Sequence, residues 1–302
     1  MDQADPTRMP AGKPDAEVDV DEALARRLIA DQCPDLAGLV LRPLDSGWDN
    51  VIFRLGDAHT VRIPRRAVAA ELVANEQTWL PMLAPRLPIP ISAPERTGCP
   101  TDYYPWPWSV CPYFEGDCAD QRAPAGSEAD RFADFLRSLH QPAPADAPAN
   151  PVRGIPIATR EANTLERIER LRGKTDLVSP RILELWEAAL AAPTGDARLW
   201  LHGDLHAQNV LVGDSGEIIA VIDWGDLNAG DVATDLAGIW ALFDDAGARR
   251  RILERYAPDT SLLARARGWA VVFGVVLLDS GLINSPRHAE AGRRILERLA
   301  AE

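Results

Sequence analysis

The run His202-Gly203-Asp204-Leu205-His206-Ala207-Gln208-Asn209 concentrates side chains that can do chemistry, with an Asn five positions after an Asp. On a tight loop the Asp204 carboxylate can sit beside a hydroxyl and take its proton. The Asn209 amide oxygen can reach a cation carried by phosphate groups. Downstream lies Ile222-Asp223-Trp224-Gly225, with Asp223 fourteen positions after Asn209. An Asp at a strand end, followed by a bulky residue and a Gly, can reach a metal that bridges β- and γ-phosphates. Asp204 is therefore the candidate base, and Asn209 and Asp223 are the candidate ligands of Mg2+. His202 reads as a residue that orients the loop backbone, and His206 as loop packing. A competing reading makes His202-x-Asp204-x-His206 a metal-hydrolase cluster. That site needs further ligands, and His59, His140 and His288 fall in no second cluster.

These loops need elements to hold them. Residues 21–30 have the spacing of a short amphipathic helix. Strands are expected at 39–43, 50–55 and 59–63, joined by turns at Ser46-Gly47-Trp48-Asp49-Asn50 and Gly56-Asp57 into an antiparallel meander. A helix follows over 67–83, ended by Pro85 and Pro88, with further strands near 89–94 and 108–113. Ser127 is placed to cap a helix over 127–140. A Pro/Ala-rich loop (141–151) leads to helices over 160–172 and 180–192. The chemical loop lies between short strands, 209–212 and 218–222, turned by Gly213-Asp214-Ser215-Gly216. From Asp231 onward the pattern is helical, with breaks near Pro258 and Pro286. A strand-rich first third before a helical remainder implies α+β architecture in two lobes: a tail (1–20), an N-terminal lobe (21–113) and a helical C-terminal lobe (114–302).

The chain has 302 residues and a formal net charge of −13. That charge argues against nucleic acid or an anionic membrane surface as partner. It suits a cationic ligand such as a polyamine or amino-sugar, or serves solubility alone. Cys33, Cys99, Cys111 and Cys118 form no C-x-x-C pair, which points to reduced thiols in the cytoplasm. Residues 1–20 lack the apolar run of a signal peptide. The longest apolar stretch, 270–278, is too short to span a bilayer and reads as a buried helix.

The offset from Asp204 to Asn209 is that of the protein-kinase catalytic loop, and Asp223-Trp224-Gly225 has the form of the kinase D-F-G element with Trp for Phe. Together with 231–236, these segments resemble the aminoglycoside phosphotransferase and choline kinase family. The resemblance runs from about Leu44 to the final helices. It implies a protein-kinase-like fold and transfer of the γ-phosphate of ATP or GTP to a hydroxyl, with magnesium. It also implies Asp204 as base, Asn209 and Asp223 as metal ligands, and Asp235 as a buried acceptor of hydrogen bonds from catalytic-loop amides.

One departure stands out. Such kinases place a Lys on the third strand, paired with a helix Glu, to hold the α- and β-phosphates. Here the lysines are Lys13, in the tail, and Lys174, among the helices. Arg62 takes the strand position, with Glu76 as its partner and Glu71 as the competitor. Ser46 and Asn50 bracket the turn in the place of a phosphate-covering loop, which has one Gly rather than three. Cys111 to Tyr113, at the change of composition, is the expected hinge, where backbone groups would meet a purine. Asp226, Asp231, Trp240, Asp244, Asp245, Glu254 and Trp269 could line a pocket for a cationic ring-bearing substrate, although Asp231 also suits a helix cap and the two Trp suit apolar helix faces. The acceptor expected is an aminoglycoside-type antibiotic or related amino-sugar. A macrolide, a sugar or an amino-alcohol is the alternative, as is a nucleotide-binding regulatory protein without catalysis.

Overall fold

The computed structural model describes residues 15–47, 49–195 and 197–302. Trp48 and most of the expected tail lie outside them. Of that tail, the amides of Glu17 and Val18 bond Arg65 O at 2.9 and 3.2 Å, and Val20 is buried. The chain then runs through α1 (Glu22–Gln32), β1 (Leu41–Ser46), β2 (Asn50–Leu55), β3 (His59–Pro64), α2 (Ala67–Leu83), β4 (Arg96–Gly98), β5 (Trp108–Pro112) and β6 (Asp117–Cys118). It continues through α3 (Ala129–Leu139), α4 (Glu161–Leu171), α5 (Pro180–Ala191), β7 (Leu199–Leu201), β8 (Val210–Val212), β9 (Ile218–Val221) and β10 (Asn228–Gly230). Five helices close it: α6 (Ala233–Leu236), α7 (Gly238–Leu242), α8 (Ala246–Tyr256), α9 (Thr260–Asn284) and α10 (Pro286–Ala300).

The first five strands form one antiparallel sheet in the order β1-β2-β3-β5-β4. Strand alternation sends Phe53, Leu55, Val61 and Ile63 to a small core shared with Leu28 and Ile29 of α1. It turns Arg62 to the opposite face, where Glu76 of α2 waits. The N-terminus of α2 has no side-chain cap of its own. Glu17 supplies one instead, accepting from Ala67 N at 3.1 Å. Leu80 and Leu83, farther along α2, belong to the larger core of the helical lobe. One helix thus meets the sheet through Glu76 and the larger core through Leu80 and Leu83, in a two-lobed, protein-kinase-like fold.

In the helical lobe, α9 packs against α10, α5, α6 and α4. By length and composition α9 could cross a membrane, but 13 of its residues are buried here, Arg265 and Asp279 among them. Two small sheets carry the chemical loops: β6-β8-β9 and β7 paired antiparallel with β10.

Some sequence expectations shift. No strand forms over 89–94, only a parallel bridge between Ile91 and Val221, because Pro88, Pro90 and Pro94 deny the segment its donors. The strand appears later, as β4. Ser127 does not cap α3: a 3-10 turn over Gly126–Glu128 precedes the helix. That turn is held by Glu128 Oε2, which accepts from Ile218 N and Arg131 at 3.1 Å. The β7–β10 pair has no period of its own to betray it, each strand being three residues long.

Several buried charges in this lobe are paired with a counter-charge. Arg265 grips Asp231 at 2.7 and 3.3 Å, and both side chains are under a tenth exposed. Arg265→Met is expected to cost about 3–5 kcal/mol, since it strands a buried carboxylate. Urea unfolding would measure this, and a loss below ~1 kcal/mol would mean that Asp231 is solvated in solution.

Candidate active site

The loop between β7 and β8 carries Asp204 and Asn209. Its shape is set from below by Asp235 on α6, fully buried. Asp235 Oδ2 accepts from His202 N at 2.7 Å, and Oδ1 from Gly203 N at 2.8 Å. His140 of the helical lobe approaches Oδ2 at 3.3 Å. Gly203 has φ +89°, and a Cβ there would lie 2.4 Å from Asp226 O, so only Gly fits this close approach.

His202 accepts from Asp204 N through Nδ1 at 3.2 Å and meets Ile222 O through Nε2 at 3.0 Å. The first bond needs a bare nitrogen, so the proton sits on Nε2 and is donated to Ile222 O. Ile222 N in turn donates to Asn209 O at 2.9 Å. Both backbone groups of Ile222 are thus tied to the catalytic loop, which fixes the neighbouring Asp223 beside it. Asp223 has φ +60°, a left-handed conformation that Asp tolerates better than most residues. Trp224, standing where kinases carry Phe, is buried with its Nε1 donating to Val221 O at 3.0 Å. Its ring lies 4.6 Å from that of His202, so the larger aromatic braces the histidine that joins the two loops.

Asp204 is the centre of a compact polar group. Its Oδ2 lies 3.2 Å from His206 Nε2, and its Oδ1 accepts from Arg153 at 3.0 Å. Burial opposes its charge, but His206 and Arg153 hold the carboxyl well below the ordinary range. Burial lowers and Asp204 raises His206, with a net rise. The Gln208 amide donating to its Nδ1 at 3.1 Å favours the tautomer that carries the proton toward Asp204. Asn209 Nδ2 donates to Asp204 O at 2.9 Å, which turns its Oδ1 the other way. Asp223 is exposed, and its Oδ1 accepts from Arg62 at 3.2 Å.

Arg62 NH1 meets both oxygens of Glu76 at 3.0 and 2.9 Å, and both side chains are buried. Burial pushes Glu76 up, to about 7, against the pull of Arg62. Burial also works against the Arg62 charge, but Glu76 and Asp223 together raise it. With two oxygens on one guanidinium nitrogen, the ion pair is the state the geometry favours. Glu71, the competitor, is exposed.

The remaining expected residues divide. Ser46 ends β1, and Asn50 opens β2 with a buried Oδ1 that lacks a partner. Cys111 is fully buried in β5, its thiol pushed up to about 12 by burial, and its carbonyl accepts from Thr60 Oγ1 at 3.4 Å. Tyr113 follows β5 at the crossing to β6. Its amide is already given to Ala58 O at 2.8 Å, and its ring lies 4.0 Å under the Arg54 guanidinium. Asp226 is brought to the site, where Asn150 donates to it at 2.6 Å. Asp231 and Trp240 are not. Asp231 is held by Arg265 and accepts from Ala233 N at 3.1 Å, the capping role. Trp240 is fully buried, with Nε1 donating to Glu302 at 2.7 Å. Trp269 is equally buried.

The sequence reading missed Asn150, at the end of the Pro/Ala-rich loop, and Arg153, just after it, which share no motif with the catalytic run. It also missed Asp49, whose carboxylate accepts from Arg66 at 3.1 Å. Burial pushes the Asp49 carboxyl up, with Asp223 adding to the rise.

Oxygen donors that are few and open suit magnesium, which is usually held by one or two carboxylates together with substrate phosphates. The exposed Asp223 carboxylate fits that pattern, and the buried Asn209 would add one amide oxygen. Among the described residues no group of three His, Cys, Asp or Glu side chains is gathered for a metal, so the hydrolase cluster has no frame.

The chain belongs to the phosphotransferase enzyme family, whose profile matches residues 40–269. It is an enzyme that passes a phosphoryl group to a hydroxyl. No curated protein matches it. Among solved structures, wild-type aminoglycoside 2'-phosphotransferase-IIIa in its GDP complex superposes with TM-score 0.62 at 19% identity, over 93% of this chain and 99% of that one. A ternary complex of APH(2")-IIa with streptomycin and ATP gives TM-score 0.57 at 19% identity, over 87% and 92%. The apoenzyme of macrolide 2'-phosphotransferase MphH from Brachybacterium faecium gives TM-score 0.56 at 21% identity, over 91% and 97%. At these identities the likeness is one of fold.

Asp235→Ala would leave the His202 and Gly203 amides unpaired in the core, at roughly 1–3 kcal/mol each. Urea unfolding is expected to show that loss. Wild-type stability in this variant would mean that water replaces the carboxylate.

Proposed function

We propose that this phosphotransferase moves the γ-phosphate of ATP or GTP to a small-molecule hydroxyl, with Asp204 as the base. The observation that carries the reading is the double tie of Ile222 to His202 and Asn209, which sets Asp223 and Asn209 beside Asp204. Residues 21–113 would bind the nucleotide, and 114–302 would present the base and the acceptor. Asp204 accepts the hydroxyl proton as the new P–O bond forms and the bond to the leaving diphosphate breaks. Catalysis of this transfer is mostly positioning and electrostatic stabilisation, so a weakly basic carboxylate suffices if it is held in place. His206 and Arg153 hold it.

Asn209 Oδ1 and the Asp223 carboxylate would hold Mg2+, which when bound offsets the negative charge of the phosphates. Arg62, fixed by Glu76, would meet the α- and β-phosphates, and Ser46 and Asn50 would close the turn above them. Cys111 to Tyr113 would face the purine. The four free cysteines fit a cytoplasmic setting. The acceptor suggested by the acidic composition is an aminoglycoside-type amino-sugar, with a macrolide, sugar or amino-alcohol behind it. The position of Arg153 favours a different charge.

Asp204→Asn is expected to cut substrate-stimulated ADP or GDP release at least ~100-fold while nucleotide affinity stays unchanged by calorimetry. Transfer near the wild-type rate would remove Asp204 as base. Arg62→Ala should weaken nucleotide binding roughly tenfold or more, and Arg62→Lys should restore most of it. Unchanged affinity in both would return Arg62 to a purely structural role beside Glu76.

A further inference from the structure

Most of the features that would welcome a polycationic acceptor are already engaged within the protein. Asp231 is taken by Arg265, and Asp279 by Arg167 and Arg170 at 3.1 and 2.7 Å. Asp244 pairs with Arg298, and Asp245 caps α8 through Ala248 N at 2.6 Å. The buried Trp240 and Trp269 offer no face to an amine. Asp204 and Asp226 remain, and both lie in the field of the Arg153 cation.

Arg153 is not a loose side chain that has strayed there. Asn150 Oδ1 accepts from Arg153 N at 3.0 Å while its amide holds Asp226. The next residue, Gly154, donates to Thr234 Oγ1 at 3.1 Å and accepts from Asp231 N at 2.8 Å. The guanidinium lies 5.1 Å from the Phe273 ring centroid. One NH2 bond to Asp204 uses part of its five-donor fork, and its buried Nε has no partner. The wall beside His206 carries Arg294, Arg298 and Asp120, but there each charge has a partner, Glu290, Asp244 and Arg287, which leaves Arg153 as the cation that bears on Asp204. A cation approaching Asp204 would meet the Arg153 guanidinium already paired with that carboxylate, and an Asp226 already held by Asn150. An oxygen-rich or anionic group would meet spare N–H donors.

We infer that the acceptor seated against Asp204 is an uncharged or anionic polyol, such as a neutral sugar or a sugar acid, with Arg153 as the residue that selects it against amino-sugars. This rests on the phosphotransferase reading of the site. Arg153 acts through charge and hydrogen bonding next to the reacting hydroxyl, so its removal should change which acceptor is preferred as well as how fast it reacts.

The test is calorimetric titration of the full chain, saturated with Mg–ADP, with three probes of similar size: D-gluconate, D-glucose and D-glucosamine. In the wild type D-glucosamine should bind at least tenfold more weakly than the better of the other two. Arg153→Glu should make it the tightest, and Arg153→Gln should narrow the gap. Any other order overturns the inference, including tighter D-glucosamine binding by the wild type or an order that Arg153→Glu leaves unchanged. No detectable binding of any probe overturns it too. Thermal melting of both variants, with Mg–ADP affinity on the same samples, separates misfolding from a change of preference. Failure of the wild type to bind Mg–ADP would count against the phosphotransferase assignment of the site itself.

Discussion

The buried carboxylate of Asp235 is the interaction on which the site depends. Two adjacent amides, those of His202 and Gly203, point inward at its two oxygens. An inward turn of two successive N–H groups leaves the following residue, Asp204, facing outward. The same turn forces the positive φ at Gly203 and lets Asp226 O approach within a distance that no Cβ would allow. His202, fixed by its own amide, then spends its ring on Asp204 N and Ile222 O. One buried charge thus sets the catalytic loop directly and the Asp223 loop through a single histidine. Its partners are two backbone donors and the His140 ring, so it is a strong hydrogen-bond acceptor with no arginine to compete for the loop.

The same contrast runs through the helical lobe. Asp231 and Asp279 are also buried, but each is tied to arginine. These pairs hold α9 to its neighbours and leave little unspent negative charge inside, whatever the net charge of the chain. Acidity of composition is therefore a poor guide to the charge of the pocket. Many of the carboxylates that set the overall sign lie on the outer surface or in internal pairs, whereas the guanidinium that meets Asp204 comes from the 150–153 segment.

How much of this was legible follows from what each feature rests on. The Asp204–Asn209 spacing and the Asp223-Trp224-Gly225 run are local, so the loop chemistry could be read directly, and the order of the two runs pointed to their meeting. The strand and helix bounds at 50–55 and 67–83 came out at the observed residues because period and punctuation agree there. Arg62 and Glu76 were legible through a position left without lysine. Arg153 was not, because its role depends on Asn150 and Gly154 docking onto residues 226–234, a contact made far apart in sequence. Asp231 and Trp240 were misplaced for a related reason: an acid or an aromatic on a helix carries no mark of whether it faces a pocket or a packed neighbour. The strand expected over 89–94 failed on its prolines, which local hydrophobicity outweighed in the reading.

The arginine at position 62 can be understood from the geometry alone. A lysine ammonium is a point charge on a flexible stem, whereas a guanidinium is a fixed fork. Here NH1 takes Glu76 and NH2 reaches Asp223, so one residue of the sheet joins α2 to the loop after β9. That link runs from the strand-rich lobe to the helical lobe and passes through a carboxylate assigned to the metal. On the proposed reading, a nucleotide entering with its cation would share Asp223 with Arg62 or displace it, and the Glu76 pair would keep the guanidinium in place during either change. A fork held by Glu76 and reaching Asp223 is a more rigid link than an ammonium could make, and it ties the two lobes together at this point.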